Sequence, residues 1–250
     1  MERFENKAIM ITGAGDIAGA TAERLLQEGA KIFLTDFSQK ALDETKNKLM
    51  KKGYPADHVI VYPCDVRKLE ECQEAANVML KTWKRIDGLV ATAGIVRHFP
   101  IDELTEQNWD DVIAINLTGV YHSVKAVTPA MKAQKYGRIV LISSIGGRTG
   151  RPGVGANYAA AKAGVNGLTM CLGYELGPWN ITVNSIAPGP IKGKMFLSLS
   201  QDKVDKLSAG VRIPRLGETK DIAGSIAYLA SDDAAWTTGE VLDVNGGLQY

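Results

Sequence analysis

A tyrosine and a lysine four residues apart, Tyr158 and Lys162, are the residues of this chain best suited to chemistry. At this spacing two side chains lie on one face of a helix, one turn from each other. A neighbouring ammonium group favours the phenolate, so we expect Lys162 to lower the pKa of the Tyr158 phenol. Ser144, fourteen residues upstream of the tyrosine, could hold a substrate oxygen beside that phenol. Together the three residues predict proton transfer to or from an alcohol or a carbonyl.

The composition is that of an ordinary globular protein. The chain has 250 residues, of which 45% are hydrophobic and 23% are charged, and its formal net charge is +1. This balance predicts neither nucleic acid nor an anionic membrane as a partner, and no apolar run is long enough to span a bilayer. The N-terminal residues lack a signal-peptide pattern, and the three cysteines lack metal-ligand spacing. We therefore expect a cytoplasmic protein without a metal site, with a single domain over residues 1–250.

Short apolar runs alternate with longer stretches of helical periodicity along most of the chain. The runs predicted as strands are Ala8–Ile11, Lys31–Thr35, Val59–Tyr62, Gly88–Ala91, Arg138–Ile142, Thr182–Ile186 and Val241–Val244. The stretches predicted as helices are centred on Ala22–Gln27, Leu42–Lys51, Leu69–Trp83, Trp109–Lys132, Ala159–Leu176 and Asp221–Ala230. This alternation predicts an α/β fold, a Rossmann-like doubly wound parallel sheet of about seven strands with helices on both faces. Residues 188–214, which contain several Gly and Pro, predict a substrate loop or lid that includes a short amphipathic segment, Phe196–Leu207.

A glycine-containing turn directly follows the first predicted strand. The residues from Thr12 to Gly19 read TGAGDIAG and lead into a helix. Glycine lets a backbone approach a pyrophosphate, and a helix N-terminus offers free N–H groups. Asp36, after the second strand, can accept hydrogen bonds from ribose hydroxyls, and its charge would repel a 2′-phosphate. The pattern favours NAD over NADP, while an ordinary turn with a surface aspartate remains the alternative.

Further motifs resemble those of the short-chain dehydrogenase/reductase family in its compact, single-domain form. They are, in chain order, Thr12-Gly13, Cys64-Asp65-Val66, Ala93-Gly94, Asn116, Ser144, Tyr158, Lys162 and Pro188-Gly189. The resemblance covers essentially the whole chain, and the order and spacing of the motifs make it specific. It implies an oxidoreductase that transfers a hydride between NAD(H) and a small-molecule secondary alcohol or ketone.

The resemblance assigns a role to each matching residue. It implies Tyr158 as the general acid or base and Ser144 as the hydrogen-bond partner of the reacting oxygen. Lys162 would lower the Tyr158 pKa and bind the nicotinamide ribose, while Asn116 would anchor a water that relays protons to that lysine. The cofactor-binding residues that it implies are Gly13, Asp16, Ile17, Asp36, Asp65, Val66, Ala93, Gly94, Tyr158, Lys162, Pro188, Gly189 and Ile191. The substrate-binding residues that it implies are Ser144, Gly146, Arg151 and Tyr158.

Two of these residues have simpler alternatives, and the chain departs from the family pattern elsewhere. Asn116 could cap or kink its helix, and Asp65 could be a helix N-cap. In the glycine loop, either Ile17 replaces one glycine or, with one residue deleted, Asp16 and Ala18 replace two. Asp16 would repel a pyrophosphate unless its side chain turned back as a helix N-cap. The altered loop supports a second interpretation of the whole chain, a catalytically silent dinucleotide-binding relative.

Two further departures concern single side chains. Thr92 replaces an asparagine, so we expect the bonds of that side chain to be lost. Gly193 replaces a threonine after the Pro-Gly pair, so a hydroxyl contact to the cofactor is missing.

The substrate and the assembly are less well indicated. Six basic residues near the predicted pocket give one hypothesis, a small anionic alcohol or ketone: Arg97, His98, Arg148, Arg151, Lys192 and Lys194. Solvated charges remain the alternative, and a steroid-like or acyl-thioester substrate also stays open. The resemblance implies a homotetramer, or a homodimer, in which the helices that carry Asn116 and Tyr158 pack against symmetry mates.

Overall fold

The computed structural model describes residues 2–150, 153–193 and 201–248. Its strands are β1 (Ala8–Thr12), β2 (Lys31–Asp36), β3 (Val59–Pro63), β4 (Gly88–Ala91), β5 (Gly137–Ile142), β6 (Ile181–Pro188), β7 (Ile191–Lys192), β8 (Gly217–Glu218) and β9 (Val241–Val244). Seven of them form one sheet in the order β3-β2-β1-β4-β5-β6-β9, and every pair of neighbours is parallel. The predicted doubly wound α/β fold is confirmed.

Helices cover both faces of this sheet. They are α1 (Asp16–Gln27), α2 (Gln39–Lys51), α3 (Leu69–Trp83), α4 (Glu106–Ile113), α5 (Gly119–Gln134), α6 (Ala156–Leu176), α7 (Gln201–Ser208) and α8 (Thr219–Leu229). Strands β1, β4, β5 and β6 are buried along their whole length, which explains why apolar residues predominate in their sequences. Alternate residues of β1 enter two separate cores: Ile9 and Ile11 pack with α1 and α8, whereas Met10 packs with α3 and α5.

The long helix predicted around Trp109–Lys132 is interrupted. The hydroxyl of Thr105 accepts a hydrogen bond from Asn108 N, 3.2 Å away, and so caps the start of α4. Between α4 and α5 the backbone widens into a π-helical turn, Ala114–Thr118. Such a turn redirects the side chains within it, and the turn here contains Asn116.

The sheet order reverses at β1, because β2 lies on one side of it and β4 on the other. In open α/β sheets the carboxyl ends of the strands at such a reversal frame a binding crevice. The turns that follow β1 and β4 therefore form the floor of the candidate site.

The predicted loop 188–214 has more regular structure than its composition suggested. Strand β7 pairs with β8 in a small second sheet, and α7 covers the later part of the predicted amphipathic segment. The earlier part of that segment lies outside the described residues. Assignment of the loop as a lid stays a prediction.

The described residues include no helix that is both long and apolar enough to cross a membrane. Within the same residues, no three His, Cys, Asp or Glu side chains come together in a group that could hold a metal ion.

Candidate functional site

Gly13 allows the turn after β1 to lie against the turn after β4. Its φ is +87°, and a Cβ at this position would be only 3.0 Å from the Cα and N atoms of Ala93. The neighbouring Thr92 was expected to lose the bonds of the asparagine it replaces, yet its Oγ1 donates a hydrogen bond to Thr12 O over 2.7 Å. The two strand ends are thus joined directly, and they leave a backbone surface that fits a pyrophosphate.

Helix α1 begins at Asp16, and its N-cap is Gly15, which has no side chain to offer. Asp16 is therefore not the N-cap residue, and its carboxylate lies beside the backbone of Gly193: a Cβ on Gly193 would be 3.0 Å from Asp16 Oδ2. The Cβ of a threonine at position 193 would therefore make a tight contact with that carboxylate. Asp16 and Gly193, which both depart from the family pattern, are thus neighbours in the structure.

The carboxylate of Asp36 is held at the end of β2 by two backbone groups. Its Oδ2 accepts a hydrogen bond from Ala14 N, and its Oδ1 accepts one from Ser38 N, both over 2.8 Å. The buried hydroxyl of Thr45, which sequence reasoning did not single out, donates to Ala14 O over 3.1 Å. Asp36 is only partly buried, so its orientation and charge fit the ribose of a dinucleotide.

Asp65 and Val66, two of the cofactor-binding residues that the resemblance implies, follow β3. The guanidinium of Arg67 hydrogen-bonds both carboxylate oxygens and holds the pKa of Asp65 below its usual range. The alternative that Asp65 is a helix N-cap is wrong, because Lys68 takes that position in α3. The carbonyl oxygen of the buried Val66 is 2.9 Å from Nδ1 of His122 on α5.

Ser144 and Tyr158 come together at the carboxyl end of β5. The Ser144 hydroxyl lies close enough to the Tyr158 phenol to lower its pKa, and Ser144 Oγ accepts a hydrogen bond from Gly146 N over 3.1 Å. The turn that carries Ser144 lies against α6: a Cβ on Gly147 would be 2.7 Å from the Cβ of Lys162. This close approach fixes the distance between the serine and the helix of the tyrosine.

Lys162 is buried beside the tyrosine. Its Nζ donates to Ile142 O over 2.6 Å and lies 5.7 Å from the centroid of the Tyr158 ring. Burial lowers the pKa of Lys162 to about 8. Burial also raises the pKa of Tyr158, against the lowering expected from sequence, and only the hydrogen bond with Ser144 opposes this rise. The loss of water around the phenol therefore outweighs the interaction with Ser144.

Asn116 is completely buried in the π-helical turn. Its Oδ1 accepts from Ile95 N over 2.8 Å and its Nδ2 donates to Ile95 O over 2.9 Å, so it holds the loop after β4 rather than capping a helix. Gly94 lies between this amide and Lys162: a Cβ there would be 3.3 Å from Asn116 Oδ1 and 3.8 Å from Lys162 Nζ. The two side chains therefore border the same space.

The first turn of α6 is held by His98, which the sequence indicated only as a basic residue near the pocket, and by Asn157, which it did not indicate. The N-cap, Gly155, offers no side chain, but its N–H donates to His98 Nδ1 over 3.0 Å. Asn157 accepts a hydrogen bond from Tyr158 N with Oδ1 and donates one with Nδ2 to Asn108 O on α4. A glycine at a helix N-cap, with no capping side chain of its own, was the available signal for partners elsewhere.

The basic residues near the site are largely engaged with the protein. Arg97 contacts Asn108 Oδ1 at 2.9 Å and Asp111 Oδ2 at 3.1 Å, both on α4. Arg148 reaches Val241 O at 3.2 Å and lies 3.7 Å from Asp243, both on β9. Both guanidinium groups thus have partners within the protein, and the anionic hypothesis stays a prediction. Arg151 and Lys194, which the hypothesis also uses, lie outside the described residues.

The remaining predicted residues lie along the same edge of the sheet. Gly146 adjoins the serine: a Cβ there would be 3.0 Å from Val154 and 3.5 Å from Ser144 Oγ. Pro188 ends β6, and a Cβ on Gly189 would be 2.8 Å from Asn245 Cα. Three further residues were predicted to bind the cofactor. Ile17 lies in α1 and packs against the core, Ala93 follows β4, and Ile191 lies in β7.

Comparison with known proteins agrees with this geometry. The family model described as enoyl-(acyl carrier protein) reductase matches residues 13–249. A relative named 3-oxoacyl-(acyl-carrier-protein) reductase FabG, from Staphylococcus epidermidis, is 37% identical over 249 residues, which cover 97% of this chain and 99% of that protein.

Solved structures agree as well. The crystal structure of levodione reductase has a TM-score of 0.91 and 33% identity, covering 98% of each chain. A short-chain type dehydrogenase/reductase from Mycobacterium ulcerans has a TM-score of 0.93 and 26% identity, covering 98% of this chain and 90% of that one. Together with the order of the strands and the side chains at their carboxyl ends, these likenesses establish that the chain belongs to the short-chain dehydrogenase/reductase family of oxidoreductases.

Proposed function

We propose that the protein transfers a hydride between NAD(H) and a secondary alcohol or ketone, with Tyr158 as the proton donor or acceptor. The observation that carries this proposal is the position of the Lys162 amine, 5.7 Å from the centroid of the Tyr158 ring, with the Ser144 hydroxyl beside the phenol. A bound nicotinamide supplies or accepts the hydride, which is chemistry that no side chain can perform. The side chains orient the substrate oxygen and move its proton.

Tyr158 and Ser144 act on the reacting oxygen. Burial keeps the pKa of the phenol raised, so at neutral pH Tyr158 carries the proton that a carbonyl oxygen needs on reduction. Ser144 holds that oxygen beside the phenol. Lys162, with a pKa of about 8, can pass a proton near neutral pH, and Asn116 borders the same space from the other side of Gly94. A water there would complete the relay to the lysine.

Asp36 is the basis for proposing NAD rather than NADP. Two backbone N–H groups hold its carboxylate at the mouth of the crevice, where a 2′-phosphate would meet its negative charge. Asp65 and Val66 would border the adenine, and Asp65 would have to share its carboxylate with Arg67. At the nicotinamide end the proposed contacts are Ala93, Gly94, Pro188, Gly189 and Ile191. Titration with NADH and with NADPH, followed by fluorescence, tests the preference.

The names of the relatives suggest the first substrates to assay. The relative from Staphylococcus epidermidis is named as a reductase of 3-oxoacyl groups, which are ketones, so a 3-oxoacyl thioester belongs in the panel. Simple ketones and secondary alcohols complete it, with anionic and neutral members matched in size. If an anion is preferred, Arg151→Ala should raise KM chiefly for the anionic members. An equal rise for neutral members would rule out anion selection by Arg151.

Assembly and location are proposed on the resemblance and on exposed apolar side chains. Met170 and Tyr174 on α6 are 57% and 90% exposed, and Trp236 is fully exposed. Side chains of this kind on a monomer surface mark protein contacts. We expect a homotetramer, or a homodimer, in the cytoplasm, and light scattering coupled to size exclusion measures the mass.

Replacement of Tyr158 by Phe tests the proposed function. The variant keeps the ring but lacks the proton, so turnover should fall at least about 100-fold while the Kd for NADH stays within about twofold. Tyr228→Phe is the control, since it removes a hydroxyl from an exposed tyrosine on α8, away from the site. Unchanged turnover in Tyr158→Phe would refute the assignment. If the unmodified protein binds NADH but converts no member of the panel, the catalytically silent alternative is favoured.

A further inference from the structure

The start of α6 is an unusual place to leave a helix without a side-chain cap, because Tyr158 lies in its first turn. The backbone N–H groups of a first turn have no partner within the helix, and Gly155 at the N-cap cannot supply one. Two side chains supply acceptors at this end of the helix: Asn157 accepts a hydrogen bond from Tyr158 N over 2.8 Å, and His98 accepts one from Gly155 N over 3.0 Å. His98 is the one that comes from a different part of the chain.

His98 also touches the tyrosine itself. The two rings meet edge to face at 83°, with their centroids 5.3 Å apart. Contact with Gly155 is close as well, since a Cβ on that glycine would be 3.2 Å from His98 Cα and 3.3 Å from Arg97 O. The backbone of the loop after β4 thus lies directly against the first turn of α6.

The loop that carries His98 is anchored at two residues just before it. Asn116 binds both backbone groups of Ile95, and Arg97 is tied to Asn108 and Asp111 on α4. An acceptor placed on an anchored loop can hold the N–H of Gly155 at a constant position. Because His98 accepts through Nδ1, its proton lies on Nε2.

We propose that His98 is a positioning residue for the reaction, which holds Tyr158 at its distance from Ser144 by accepting the N–H of Gly155. The inference rests on the proposed function of Tyr158 and adds a residue to it. The hydrogen bond, rather than the ring contact, carries the role, because it acts on the backbone from which the tyrosine projects.

Two substitutions separate the hydrogen bond from the ring contact. His98→Phe keeps a ring against Tyr158 but has no acceptor, whereas His98→Asn loses the ring and keeps an oxygen close to the position of Nδ1. We expect His98→Phe to lower kcat about 10- to 100-fold with KM changed less than about threefold, as small displacements of reacting groups do. In His98→Asn kcat should recover to within about threefold of the unmodified protein.

Hydrogen–deuterium exchange gives a readout that does not depend on turnover. The amide of Gly155 should exchange at least about tenfold faster in His98→Phe and at the original rate in His98→Asn, because only the former loses the acceptor. If His98→Phe does not fold, His98→Leu provides a second side chain without an acceptor. A melting curve of each variant identifies any general loss of structure.

The outcomes decide between the possibilities. A loss of kcat in His98→Asn with full kcat in His98→Phe would mean that the ring contact positions the tyrosine, and equal losses in both variants would mean that an acceptor at this position is not sufficient. Either result would overturn the proposal. Unchanged kcat in His98→Phe, or unchanged exchange at Gly155, would overturn it too. Absence of turnover in the unmodified protein would refute the proposed function instead, and the exchange experiment would still test the bond between His98 and Gly155.

Discussion

Gly13 and Gly53 form a natural pair for testing how the floor of the crevice is built. Their φ angles are nearly equal, +87° and +86°, so an alanine would be strained to the same extent at both. Their surroundings differ. A Cβ on Gly53 would meet nothing within 4 Å, whereas a Cβ on Gly13 would lie 3.0 Å from two backbone atoms of Ala93 and 3.1 Å from Thr92 Oγ1.

The expected losses of stability follow from this geometry. A left-handed backbone costs a residue with a side chain about 1–2 kcal/mol, which Gly53→Ala should lose. Gly13→Ala should lose a further 1–3 kcal/mol, roughly the usual cost of overpacking, because backbone atoms cannot rotate away. The total for Gly13→Ala is about 2–5 kcal/mol. The affinity of Gly13→Ala for NADH should also fall, because the new methyl group would push the turn after β1 away from Ala93.

Urea unfolding at constant temperature measures the loss of stability, and a fluorescence titration measures the affinity for NADH. Gly53→Ala should keep the NADH affinity of the unmodified protein, because Gly53 follows α2 at the surface. Equal losses of stability in the two variants would refute the argument that the turns after β1 and β4 are packed rigidly together. Full NADH affinity in Gly13→Ala would refute the placement of the pyrophosphate.

Two further predictions concern charges in the crevice. Asp16→Asn removes a negative charge from the first turn of α1, so NADH should bind about 3- to 30-fold more tightly, as judged by titration; weaker binding would show that the carboxylate supports the loop. Lys162 has a folded pKa of about 8 against 10.5 when unperturbed, so between these values the unfolded chain holds a proton that the folded one has lost. Stability contributed by this site therefore rises with pH in that window, and below it burial of the ammonium costs about 3 kcal/mol. Relative to Lys162→Met, the unmodified protein should gain stability in urea between pH 7 and about 10.5, and a constant difference would contradict the burial argument.

The seven strands of the main sheet were predictable to within about two residues because buried strands are rich in apolar residues. The predicted bounds of β4 and β9 coincide with those in the structure, whereas the short strands β7 and β8 were not predicted. The π-helical turn at Asn116 was not predictable. Its residues are compatible with a continuous helix, and the interruption depends on contacts with the distant Ile95.

The sequence predicted which residues form the candidate site better than it predicted their pKa values and their charged partners. The spacing of Tyr158 and Lys162 placed both on one helix face, but the direction of the tyrosine pKa depends on how much water the fold excludes. The same limit applies to Arg97, whose partners on α4 are brought to it by the fold. His98 was visible only as a basic residue, since its partner is a backbone N–H more than fifty residues away.

The bond between Asp36 and Ala14 has a consequence for protein engineering. A change of coenzyme preference in an enzyme of this shape is commonly planned as the replacement of one acidic residue by a neutral or basic one. Here the same carboxylate also accepts the N–H of Ala14, so its removal frees a peptide of the turn that should carry the pyrophosphate. A redesign that keeps a short acceptor at position 36, and places the new positive charge at a neighbouring position, would preserve the turn while altering the preference.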